Sequence, residues 1–187
     1  MTSRVLYINA CFREGSRTAK LTSLLSEKLF ADNPVTEIDL GDMDLKPMDR
    51  KMLSVYNESV AGHEFTDPMF DYAKQFREAD RIVIAAPFWN YDLPAVLHTY
   101  LELVCTQGIT FDIDENGVYR SLCKAEKLTF ITTAGGTIPE NDPASACIRT
   151  LCDYFFQIRQ FEYVKAEGLD VWGADVDLIL REAAERY

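Results

Sequence analysis

The sequence predicts an α/β fold, a doubly wound five-stranded parallel sheet in the order 2-1-3-4-5 with a small β-hairpin insertion. Three observations lead there. Short apolar runs of strand length alternate with stretches of helical period along the whole chain. The first run, Val5 to Asn9, is apolar on both faces, as a parallel strand covered by helices on both sides is. Right-handed crossovers, with the first strand near the centre, then leave few topologies, of which this order is one.

Each element has its own signal. After Val5 to Asn9 comes the loop Ala10 to Gly15, and Ser16-Arg17-Thr18 opens a helix with Ala19, Leu21, Leu24, Leu25 and Leu29 at helical spacing. Asn33-Pro34 ends it, and Val35 to Leu40 alternates as a second strand. From 41 to 63 the pattern weakens to a loop giving way to a poorly defined helix, and a long loop in a compact domain is often a lid or part of a site. Thr66-Asp67-Pro68 starts the next helix, which runs to about Ala79. Arg81 to Ala86 is the third core strand, Pro94 opens the helix through Val104, and Asn116-Gly117 marks the hairpin. Lys127 to Thr133 is the fourth core strand, and Asp142-Pro143 begins a helix through Cys147, Leu151, Phe155 and Phe156. Phe161 to Ala166 is the fifth strand, and a last helix runs from Ala174 to the C-terminus.

Composition narrows the function. The chain has 187 residues, 48% apolar and 26% charged, with neither repeat nor linker, and is expected to form one domain over 1–187. A net charge of −11 argues against nucleic acid and anionic membranes as partners, and the acidic residues are scattered as a solvated surface is. No apolar leader and no run of about 20 apolar residues stands in the sequence, so a cytoplasmic protein without a membrane span is expected. The five cysteines form no CxxC pair, which reads as free thiols in a reducing compartment. Cys147 and Cys152 lie off a shared helical face, so no metal is expected.

In such sheets ligands bind beyond the carboxyl ends of the strands. Three unusual loops should meet there. The first is Ala10 to Thr18. Ser16 and Thr18 offer hydroxyls, the first helical turn offers free N–H groups, and Arg17, with Arg13 nearby, adds a cation, which together suit an anion. As an alternative, Ser16 is only the helix N-cap. The second loop follows the run RIVIAA, where Pro87, Phe88, Trp89, Asn90 and Tyr91 replace the usual turn residues by aromatics and an amide. This suits a flat, hydrogen-bonding ring, with the side chain of Asn90 and the N–H groups of Trp89 and Asn90 at its polar edge. The competing reading is an aromatic core plug. The third is Thr133-Ala134-Gly135-Gly136, whose glycines permit positive φ and close backbone approach.

These loops carry a resemblance. Ser16-Arg17-Thr18, Ala86 to Tyr91, Gly108 to Phe111 followed by Glu115-Asn116-Gly117, and Thr132 to Gly136 stand in the order and spacing of the FMN-dependent NADH-azoreductases and NAD(P)H:quinone oxidoreductases. The chain resembles that flavodoxin-like family over nearly its whole length. The resemblance implies FMN as cofactor, NADH or NADPH as electron donor, and a quinone, azo compound or nitroaromatic as acceptor. It also implies a homodimer with active sites at the subunit interface. Ser16, Arg17 and Thr18 would hold the phosphate. Pro87 to Tyr91 and Thr133 to Gly136 would hold the ring, and Phe12 and Tyr119 would line the substrate.

No side chain is named as catalyst, because the flavin carries the hydride chemistry. The amides of Gly135 and Gly136 are candidates to stabilise the reduced ring. His98 reads as a surface histidine and His63 as a loop residue. Two departures from the family stand out: Ala10, where Ser is frequent, and Arg17, where Gln is. The alternative function is a flavodoxin-type electron carrier that binds FMN without its own NAD(P)H turnover. A third reading is a flavin-free interaction module.

Overall fold

A computed structural model describes residues 3–187. Five parallel strands, β1 (Val5–Asn9), β2 (Val35–Asp39), β3 (Arg81–Ala85), β6 (Lys127–Thr133) and β7 (Gln160–Ala166), form one sheet in the order β2-β1-β3-β6-β7. Counted over these core strands, this is the expected 2-1-3-4-5. Register is continuous across the centre, with Ile8 beside Ile84 and Ile84 beside Phe130.

Strand parity builds two core layers. Leu6, Ile8, Ile82, Ile84, Leu128 and Phe130 point to one face, against α4 (Asp71–Glu78), α5 (Ala95–Val104) and α6 (Pro143–Leu151). Val5, Tyr7, Val83, Ala85 and Ile131 point to the other, where α1 (Arg17–Leu24), α2 (Ser26–Phe30) and α7 (Val176–Arg186) bury Leu21, Leu25, Leu29, Leu180 and Ala183. No helix among the described residues is long and apolar enough to cross a membrane.

The structure refines the sequence reading at four places. The first helix breaks at Leu25, whose N–H is shared between the carbonyls of Leu21 and Thr22. The segment expected to be a weak helix holds a well-formed one, α3 (Arg50–Gly62), capped by the Asp49 carboxylate on Met52 N. Its periodicity is faint because no residue of α3 is buried; Tyr56 only borders a small cluster with Phe70, Ala73 and Ile109. The hairpin expected around Asn116-Gly117 is present, with a connection longer than a two-residue turn. Strands β4 (Phe111–Ile113) and β5 (Tyr119–Ser121) pair antiparallel, but Asp114 N reaches Val118 O, and Gly117 alone of that pair has a positive φ, at 76°. After α6 the chain widens into a π-turn over Cys152–Phe156, which brings Phe155 onto Phe111 at 4.3 Å.

Candidate functional site

Beyond the carboxyl ends of β1, β3 and β6 lies a cleft of about 470 Å³. Ser16, Arg17, Thr18, Pro87, Phe88, Trp89, Thr133, Ala134 and Gly135 line it. Asn90, Tyr91 and Gly136 are not among its lining residues, and neither is Tyr119.

The anion end is built by α1. Ser16 is its N-cap, accepting from Ala19 N at 3.2 Å, so the capping alternative describes the Ser16 oxygen while its proton stays free to donate. Arg17 and Thr18 occupy the first two helical positions, where N–H groups have no intrahelical acceptor. The Thr18 hydroxyl is fully buried and bonded to the Thr133 hydroxyl at 2.7 Å. It ties α1 to β6, so Thr18 offers an anion its backbone N–H more readily than its side chain. Cys11 also lines the cleft. Burial pushes its thiol up to about 12, against a partial opposing pull from Ser16 and Thr18, so no thiolate stands beside the anion site.

The aromatic wall comes from the loop after β3. Phe88 N–H donates to Thr133 O at 3.0 Å, locking this loop to the third one. Trp89 and Asp92 exchange backbone bonds at 3.0 and 2.8 Å around Asn90 and Tyr91, which sit at φ 52° and 64°. The turn consumes the Trp89 N–H, correcting the expectation that this group is free for a ring, and sets Tyr91 edge to face on Phe88 at 5.9 Å. Trp89 meets Phe12 edge to face at 5.6 Å, which puts Phe12 at the rim. Tyr119 packs instead against Phe111 and Phe155.

The third loop corrects a second expectation. Neither Gly135 nor Gly136 has a positive φ. Gly135 leaves room for a neighbour: a Cβ there would lie 1.9 Å from the Asp170 carboxylate, so any larger residue would displace that side chain from its present position. The Gly135 and Gly136 N–H groups donate no hydrogen bond among the described residues.

A fourth loop was missed. After β7, Gly168, Leu169 and Asp170 hydrogen-bond by their N–H groups to the carbonyls of Gly136, Ala134 and Gly135. Leu169 and Asp170 line the cleft, and Asp170 pairs with Arg17 at 2.6 Å. The carboxyl-end rule applied to the fifth strand, with Gly168 as a turn signal, would have found it. His98 lies on the surface at 3.3 Å from Asp92, and His63 caps α3 in the left-handed conformation.

Free amides and a guanidinium at one end, an aromatic wall and the unpartnered Gly135 amide at the other, suit a phosphate-bearing planar cofactor. Comparison with known proteins agrees. An FMN-dependent NADH:quinone oxidoreductase 2 of Clostridium acetobutylicum is 36% identical, over 98% of this chain and 96% of the relative. The FMN-dependent NADH:quinone oxidoreductase of Clostridium beijerinckii is 35% identical over the same shares. A crystal structure of an azoreductase from Bacillus anthracis superposes with a TM-score of 0.84 at 26% identity, covering 100% of this chain and 96% of that one. A model of the flavodoxin-like fold matches residues 3–187. The free helix start, the aromatic loop and the sheet order thus have one common origin, and the chain belongs to this flavodoxin-like family.

Proposed function

We propose that the protein is an FMN-dependent NAD(P)H oxidoreductase that reduces quinones, azo compounds or nitroaromatics by two-electron transfer. One observation carries it: the cleft joins a helix start with free N–H groups and Arg17 to an aromatic wall and the Gly135 amide. Relatives similar over nearly their whole length are named as FMN-dependent NADH:quinone oxidoreductases.

When bound, FMN would accept a hydride at its ring and pass the electrons on. The chain's own residues have other tasks. Ser16, Arg17 and the first-turn amides of α1 hold the phosphate. Pro87, Phe88 and Trp89 close one side of the ring. Thr133, Ala134 and the N–H groups of Gly135 and Gly136 face its polar edge, where donors favour charge developing on the ring. Thr18 holds the phosphate helix to this loop.

The protein works as one domain and as a homodimer. Tyr91, 66% exposed, Phe12 and Trp89 form an apolar rim beside the cleft that a second copy would cover, and Phe12 meets substrate there. The short β4–β5 hairpin is an insertion serving as cover.

The test is the visible spectrum of the purified protein, expected to show bands near about 370 and 450 nm, followed by NADH and NADPH oxidation with menadione. Yellow protein that turns over alone supports the enzyme. Yellow protein needing a separate reductase indicates an electron carrier. Colourless protein that does not take up FMN overturns the flavin reading.

A further inference from the structure

The sheet ends at β7 on one side, and that edge is open. The parallel ladder with β6 fixes which backbone groups face outward. Gln160 N–H donates to Glu126 O and Ala166 O accepts from Ala134 N, so the even-numbered residues of β7 turn their N–H and C=O groups toward β6. Phe161, Tyr163 and Lys165 turn theirs the other way, and none of these groups has a backbone partner among the described residues. The strand pairs with β6 in unbroken register from Gln160 to Ala166, with neither a bulge nor a proline to blunt its edge. A groove of about 300 Å³ opens beside it, between β7 and α7, lined by Tyr163, Val164, Lys165, Ile179, Ala183 and Arg186. It leaves room for the side chains of an added strand.

Charge selects the strand that fits. At the opposite edge, β2 carries Glu37 and Asp39, neither in an ion pair among the described residues, so two copies meeting there would repel. The β7 edge is balanced: Glu162 pairs with Lys127 at 2.7 Å, and Glu167, just past the strand, with Lys165 at 3.5 Å. Arg159, exposed just before the strand, has no acidic partner among the described residues. Two copies of β7 laid antiparallel about a two-fold axis at Tyr163 set Tyr163 opposite itself, Phe161 opposite Lys165 and Arg159 opposite Glu167. Every outward N–H and C=O of the edge residues is then satisfied, and Arg159 meets a carboxylate on each side of the axis. Shifting the axis by one residue loses this match. At Glu162 it puts Arg159 opposite Lys165, and at Val164 it puts Arg159 opposite Leu169.

We propose that β7 is a self-association edge, at which two copies of the chain join antiparallel in the register centred on Tyr163 and form one sheet continuous through both. The two-fold makes the contact isologous and closed, so it adds one copy and stops. It uses none of the rim residues Phe12, Trp89 and Tyr91. It is therefore additional to a dimer formed at the cleft, and it does not depend on the flavin reading.

Sedimentation velocity of the full-length protein over a wide range of concentration tests this. Four forms are compared: the unaltered chain, Arg159→Glu, Lys165→Pro, and Arg159→Glu combined with Glu167→Arg. Proline at 165 removes an outward N–H and leaves the ladder to β6 intact. Arg159 is exposed and outside the strand, so its replacement spares the fold, and circular dichroism melting reports that each variant is folded. The expected result is that Arg159→Glu and Lys165→Pro each weaken association about tenfold or more, halving the mass at concentrations where the unaltered chain is associated. The combined charge swap brings association back to within about threefold of the unaltered chain. The inference is overturned if Arg159→Glu and Lys165→Pro leave the mass unchanged, as they would were the rim the sole contact or the edge the seat of a different protein. It is overturned equally if the charge swap stays at half mass.

Discussion

At the scale of single residues, Arg17 and Asp170 hold opposite positions on the same site. Their ion pair joins α1 to the loop after β7, with the Asp170 carboxylate filling the space beside Gly135 where a Cβ would lie. The Asp170 side chain is well exposed, so the pair adds little to stability. On the proposed reading its effect is on binding: a carboxylate sits on the guanidinium that an incoming phosphate would use. Arg17→Ala should weaken FMN by roughly 10- to 100-fold, the range for a lost charge-assisted hydrogen bond. Asp170→Asn should tighten FMN several-fold by removing the competitor. Quenching of flavin fluorescence on titration measures both. Weaker binding by Asp170→Asn would show instead that the carboxylate's main effect is to hold Arg17 in place.

At the scale of elements, the loops are held by caps and turns more than by the sheet. Asp142 is almost fully buried at the start of α6, where it accepts from Ser145 N and Ser145 Oγ, both at 2.7 Å, and from Tyr163 Oη at 3.2 Å. It joins α6 to β7. Asp142→Ala should lower unfolding free energy by about 2 to 3 kcal/mol, combining a lost N-cap with an unpaired Tyr163 hydroxyl. Asp142→Asn should cost less, and urea denaturation compares the two. The turn at Trp89 to Asp92 behaves in the opposite sense. Both central residues have positive φ, and at the second of them this tight hairpin geometry favours glycine. Tyr91 there costs about 1 kcal/mol. Tyr91→Gly should recover about that amount in urea denaturation while slowing quinone turnover, if the ring is retained for function at the rim. Unchanged turnover would show the tyrosine has no functional part.

At the scale of the whole molecule, buried thiols set the response to alkali. Burial raises Cys11, Cys105, Cys123 and Cys152 to about 12 from an ordinary 9.0. Between those values the folded chain binds more protons than the unfolded one, so stability complete below pH 9 is lost as the pH rises. Each thiol contributes a slope of at most about 1.4 kcal/mol per pH unit. Burial also raises Tyr7, Tyr100 and Tyr163, which extends the loss to higher pH. The acid side is gentler: Asp80 is lowered by its bond from Arg4, but the pair is solvent-accessible on both sides and little stability is tied to it. Thermal midpoints followed by circular dichroism in reducing buffer should hold between pH 6 and 8 and fall steeply above 9. A flat profile to pH 10.5 would contradict the burial of these thiols.

The sequence by itself determined the sheet and much of the site. Runs apolar on both faces specify parallel strands under two helical layers, and crossover handedness limits their order to a few, including the one in which β1, β3 and β6 deliver their loops to one end. Ser16 to Thr18, Pro87 to Trp89 and Thr133 to Gly135 were legible because each breaks the local habit of its position. What the tertiary structure decided depended on partners distant in sequence. The buried bond between Thr18 and Thr133 spans 115 residues, and the pair of Arg17 with Asp170 spans 153. Local pattern carries no record of such separations. Helix α3 was faint for a related reason, because a helix that buries nothing writes no period into its sequence. The choice of Gly135 looked like a matter of backbone freedom; only the packed fold shows that the Asp170 side chain fills the space a Cβ would need.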